Sequence, residues 1–170
     1  MGIFDKLTGT KYPEDGVAPR SAVEVRTALL GVNRPDAPYI IRGGAAEGAD
    51  LVAEWRVAEP AWQAIFTKSQ LTRAIRIRMR LVQESHEVRA LEEGREVTRV
   101  GNPPRLEISK AFSRGPGRTV SRRYAINRGD SGGLEATETF HFDSAELRNS
   151  LQDAVLESGW IWRGVVFGKP

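Results

Sequence analysis

The sequence predicts an α+β protein: a single, mainly antiparallel, curved meander sheet with two or three helices packed on one face. From Arg73 to Val82, Ile75, Ile77, Met79 and Leu81 alternate with Arg76, Arg78 and Arg80. At a side-chain period of two this sorts apolar and charged groups onto opposite faces of a strand, so the sheet has one buried face. Weaker runs of the same kind follow, separated by polar or glycine-proline turns. Helical stripes with capping signals flank this region, and the middle of the chain shows no regular alternation of strand and helix, which argues against a parallel βαβ design.

Residues 1–20 are expected to form a flexible N-terminal arm, because Gly9, Pro13, Gly16 and Pro19 punctuate it, and residues 21–170 a single α+β domain. Ser21 and Glu24 have capping-box spacing, and Val25, Ala28, Leu29 and Val32 follow as one apolar stripe before Asn33 and Pro35 end the helix. Strands are expected at 39–41 and 51–57, joined by a glycine-bearing connection. Pro60 suits the first turn of a short helix that carries Trp62, Ile65 and Phe66 and ends near Ser69. The meander is expected over 71–83, 87–92, 95–100, 105–112, 118–127 and 134–142. A second capping pair, Asp143 and Glu146, opens a helix with Leu147, Leu151, Ala154 and Val155 on its apolar face, ended by Gly159. A strand from Trp160 to Phe167 closes the chain.

At 170 residues the chain can bury roughly 70% of its unfolded surface, so a core needs no staples. It has no cysteine, which removes disulfides, thiolate catalysis and thiolate metal sites together. The start lacks the long apolar core of a secretory signal, and no run approaches the ~20 apolar residues of a membrane span. A cytoplasmic location is the resulting expectation. A net charge of +3, with acidic and basic residues interleaved, does not mark a nucleic-acid binder.

Gly129-Asp130-Ser131-Gly132-Gly133 spells the nucleophile loop of chymotrypsin-like serine proteases, in which glycine-borne backbone donors form an oxyanion hole beside the serine. That chemistry needs a base histidine and an aspartate ahead of Ser131, but the one upstream histidine, His86, sits in the charged turn Glu84-Ser85-His86-Glu87. The motif and its embedded Arg128-Gly129-Asp130 are therefore read as a hairpin turn rich in residues that tolerate turn dihedrals, and no catalytic residue is assigned. Neither His86 nor His141 has the spacing of a metal site, and Arg42 to Gly48 lacks the Lys-Ser or Lys-Thr that completes a phosphate loop. No metal or cofactor is expected.

Contact surfaces are the remaining candidates. Arg76, Arg78 and Arg80 could track a phosphate backbone, although the glutamates on neighbouring runs favour an ordinary charged sheet face, and no aromatic residues interleave with them for base stacking. Ile3, Phe4 and Leu7 form one apolar turn suited to docking on a partner, an assembly or a membrane surface. Trp160 and Trp162 share one face of the last strand while Ile161, Val165 and Phe167 share the other. That strand is either covered on both sides or presents one side to a partner.

The start Met1 to Lys11, the segment Gly48-Ala49-Asp50-Leu51-Val52-Ala53-Glu54-Trp55-Arg56 and the end Gly159 to Lys169 together resemble a family of uncharacterised actinomycete proteins. The resemblance implies a bacterial cytoplasmic protein and carries no activity, cofactor or site residue with it. The functional expectation is a non-enzymatic binding or protein-interaction module, with a protein partner or self-association. Its contact surface is drawn from Ile3, Phe4, Leu7, Trp160 and Trp162. A nucleic-acid binder using Arg76, Arg78 and Arg80 is the alternative, and a serine hydrolase at Ser131 the third reading.

Overall fold

The computed structural model describes residues 2–68, 71–116, 120–128 and 134–170. Four helices, α1 (Ile3–Thr8), α2 (Ala22–Leu30), α3 (Pro60–Lys68) and α4 (Ser144–Glu157), accompany eight strands among these residues. The strands are β1 (Tyr39–Gly43), β2 (Leu51–Trp55), β3 (Arg73–Val82), β4 (Glu87–Val100), β5 (Arg105–Arg114), β6 (Val120–Arg128), β7 (Leu134–Asp143) and β8 (Ile161–Val165). The fold is α+β with a mainly antiparallel sheet. Strands β1 to β5 lie in chain order, and β8 adds in parallel to β4. β6 and β7 pair with each other, with a register running from Val120↔Asp143 to Arg128↔Leu134.

The alternation in β3 does what a period of two requires: Ile75, Ile77 and Met79 are buried on one face, while Arg76 and Arg78 lie half-buried on the other. The buried face receives Val25 and Leu29 of α2, Phe66 of α3, and Leu147, Leu151 and Val155 of α4 in one continuous apolar cluster. Phe66 stacks on Trp55 with ring centroids 5.8 Å apart. The expected capping box of α2 is formed: Ser21 Oγ accepts from the Glu24 N–H, and Glu24 Oε2 accepts from the Ser21 N–H at 2.9 Å. At α4, Asp143 Oδ1 accepts from the Ala145 N–H at 2.9 Å, so Asp143 is the cap.

Several elements differ from the sequence expectation. The runs 87–92 and 95–100 are one 14-residue strand, because β3 is long enough to pair with it from Val82↔Glu87 to Arg73↔Glu96. Gly94 lets it pass beneath the Arg73 side chain, where a Cβ would collide with the guanidinium. β4 is thus long enough to be shared along one edge, with β8 on Glu87 to Leu91 and β5 on Glu93 to Val100. The last strand stops at Val165, short of Phe167.

The segment expected to be a tether is also fastened down. Lys11 and Trp162 exchange backbone hydrogen bonds of 2.8 and 2.9 Å, the Arg20 N–H donates to Ser158 O, and Trp160 Nε1 donates to Arg20 O at 2.8 Å. Its glycines and prolines shape an extended path that covers the open edge of β8 rather than leaving it loose. The opposite border of the sheet is blunted by a side chain: Asn33 Oδ1 accepts from the Ile41 N–H at 2.7 Å and Asn33 Nδ2 donates to Ile41 O at 2.8 Å. One amide thereby occupies the positions a further strand would use.

Glu92 points into the apolar face, where it is buried and accepts two hydrogen bonds of 2.7 Å from Arg148 Nε and Nη2 of α4. Hydrogen bonding to Glu92 holds the Arg148 guanidinium above its ordinary value. Removing one partner leaves the other charge uncompensated in a dry site. Glu92→Gln or Arg148→Met is expected to lower the unfolding free energy by about 3–5 kcal/mol, whereas Glu92→Leu combined with Arg148→Met recovers most of that loss. Urea denaturation of the three variants checks both halves.

Candidate interaction surface

The site is built where the start of the chain meets its last strand. α1 ends at Gly9, whose φ of +71° is the left-handed conformation that stops a helix at little steric cost. Thr8 Oγ1 donates to Phe4 O at 3.0 Å and shares a 2.9 Å hydrogen bond with Thr10 Oγ1, and the Gly164 N–H donates to Thr10 Oγ1 at 3.0 Å. These contacts seat α1 against β8. Gly164 is required for the approach, because a Cβ there would run into the backbone carbonyl of Thr8.

With Thr8 buried beneath it, α1 turns its apolar stripe outward: Ile3, Phe4 and Leu7 are 82%, 69% and 68% exposed. Phe167, just beyond β8, is 79% exposed. Phe4 and Phe167 border a shallow open groove of about 380 Å³, into which Arg89, Arg163 and Lys169 also reach. Four large apolar side chains at one end of a small protein exceed the scattered singles of an ordinary surface.

The floor of the groove carries Glu87. It is buried, and its two oxygens accept from Arg89 Nε at 2.7 Å and Arg163 Nε at 2.6 Å. Burial pushes this carboxyl up, but the hydrogen bonds from Arg163 and Arg89 outweigh burial and hold it below its ordinary value. The carboxylate is therefore committed to joining β8 to β4.

The arginine face lies on the other side of the sheet from the helices. Glu93, fully buried, accepts from Arg78 Nε at 2.7 Å and from Arg76 Nη2 at 3.0 Å, with Arg95 at 4.0 Å. Arg42 similarly holds Glu47 at 2.6 Å and Glu54 at 2.9 Å. Hydrogen bonds from Arg42 keep Glu47 below its ordinary value. Arg80 is exposed and donates to Gly48 O at 3.1 Å. The face gathers Arg76, Arg78 and Arg95 around one carboxylate that lies out of water, rather than forming the solvated ladder that the charge alternation suggests.

Of the candidate residues, the structure brings Ile3, Phe4 and Leu7 together and exposes them, while it places Trp160 and Trp162 in the core, 0% and 3% exposed. The tryptophans are corrected from contact residues to packing residues. α4 and the chain around Lys11 and Arg20 cover the side of β8 that a partner would have needed. Ser131 and the rest of its glycine motif lie outside the described residues, as does the side chain of His141. His86 is half-buried, with its ring edge-on to Trp160 at 5.7 Å. Among the described residues no group of three or more His, Cys, Asp or Glu could hold a metal ion, and no helix is long and apolar enough to cross a membrane. Phe167 was missed as a surface residue because its parity with Ile161 and Val165 places it in a strand. The strand stops at Val165, and Gly168, with φ +77°, takes up the left-handed conformation directly after Phe167.

Two measurements probe this construction. Gly164→Ala should lift α1 off β8 and cost about 1–3 kcal/mol, as overfilling a packed contact does, with amide exchange rising from Thr8 to Lys11. A carboxyl whose folded value is depressed contributes stability above its unfolded value of 4.5 and loses it as the pH falls through the folded one. The stability gap between the parent protein and Glu87→Gln should therefore be widest at neutral pH and shrink below about pH 4.5, read as urea midpoints across that range.

No known family model, curated protein or solved structure matches this chain.

Proposed function

We propose that the protein is a non-enzymatic binding module whose contact surface is the exposed apolar end formed by Ile3, Phe4, Leu7 and Phe167. The single observation that carries this reading is the exposure of four large apolar side chains on one small surface, held there by a dedicated seat on β8. Leaving them in water costs free energy that burial against a partner recovers. The helix that bears Ile3, Phe4 and Leu7 is already formed, so binding does not bear the cost of ordering it.

The arginine face supports nucleic-acid binding less well. Arg76 and Arg78 are drawn onto the buried Glu93, so a phosphate would have to compete with that carboxylate for their charge.

The combined substitution Phe4→Ser, Leu7→Ser and Phe167→Ser touches no core residue and is expected to leave the melting temperature within a few degrees of the parent. It should abolish whatever the parent bait recovers specifically from an extract containing both soluble and membrane fractions. Equal recovery by the two baits would remove this surface from the function. Deleting residues 1–20 is a poorer test, because it also strips the hydrogen bonds along β8.

A further inference from the structure

We infer that this apolar end docks peripherally on an anionic lipid surface; the inference rests on the binding-module reading and names its partner.

The first ground is shape. A groove that captures a peptide offers recesses for the partner's side chains, whereas here the chain's own side chains stand proud, each at least two-thirds exposed. Protruding Phe, Leu and Ile side chains suit insertion into the boundary between headgroups and acyl chains. α1 has six residues and would be marginal as a free helix, but its seat on β8 presents it preformed.

The second ground is charge. At 3.6 residues per turn, Lys6 flanks the apolar stripe on the Ile3 side while Asp5 lies opposite, where its Oδ2 accepts from Tyr12 Oη at 3.1 Å and the Gly2 N–H at 3.2 Å. Lys169 borders the groove beside Phe167. Lys6 and Lys169 are exposed and form no ion pair among the described residues. Of the two carboxylates at this end, Glu87 is buried and taken by Arg89 and Arg163 and Asp5 lies on the far side of α1, so Lys6, Lys169, Arg89 and Arg163 outnumber them and leave positive charge in excess around the apolar side chains. Apolar side chains ringed by cations complement an anionic bilayer. A second copy of the chain would instead set Lys6 and Lys169 against a surface carrying the same cations.

The test uses the full chain and sucrose-loaded vesicles, either of phosphatidylcholine alone or of an equal mixture of phosphatidylcholine and phosphatidylglycerol. The parent should sediment with the mixed vesicles at low salt, bind neutral vesicles at least roughly tenfold more weakly, and release in concentrated salt. Lys6→Ala and Lys169→Ala should each weaken partitioning roughly fivefold. The Phe4→Ser, Leu7→Ser, Phe167→Ser variant should fail to sediment while retaining the parent's circular dichroism and melting curve. No binding to mixed vesicles, equal binding to both lipids, or binding unchanged by these substitutions overturns the inference. If vesicles are not bound but the triple variant still loses a soluble acidic protein or a second copy of the chain, the lipid assignment fails and the binding-module reading stands. If recovery from the extract is also unchanged, both fail.

Discussion

Three carboxylates on one strand organise this protein. Glu87, Glu92 and Glu93 of β4 are all buried, and each is neutralised by arginines that belong to other parts of the fold or to the strand itself. Glu87 binds Arg163 of β8 and Arg89, Glu92 binds Arg148 of α4, and Glu93 binds Arg76 and Arg78 of β3. Burying a carboxylate is costly unless it is paired and hydrogen-bonded, so each of these side chains tolerates essentially one arrangement of its neighbours. Glu92 and Glu93 are adjacent and point to opposite faces, which ties the helical layer and the polar layer to the same strand in a definite register.

This arrangement explains why the exposed apolar end lies where it does. Glu87 joins β8 to the first half of β4, which carries the chain's last strand to one end of the sheet, and the hydrogen-bonding edge that β8 leaves open is taken up by Thr10 and Lys11. The start and end of the sequence thereby meet, with α1 set on Gly164 and Phe167 emerging beside Phe4. The same cluster neutralises Glu87, one of the two carboxylates at that end.

The arginine alternation shows how one pattern can have two meanings. Arg76 and Arg78 read in isolation are a basic stripe, and a phosphate-tracking role follows naturally from it. Once β4 is placed alongside, the register Arg76↔Glu93 turns the stripe into a set of cross-strand pairs around a carboxylate that water does not reach.

Local chemistry was legible from the sequence wherever the deciding contacts are near in the chain. The buried and charged faces of β3 follow from a period of two, and the capping box of α2 from Ser21 and Glu24 three residues apart. The interruption of the helical stripe at Asn33 and Pro35 is local in the same way. What only the tertiary structure decided depends on partners distant in sequence: Trp162 meeting Lys11, Arg148 reaching Glu92 and β8 entering parallel to β4. Burial of Trp160 and Trp162 and exposure of Phe167 belong to that second kind. Alternation says which residues share a face, but what covers each face is set by segments more than a hundred residues away in the case of Trp160 and Arg20.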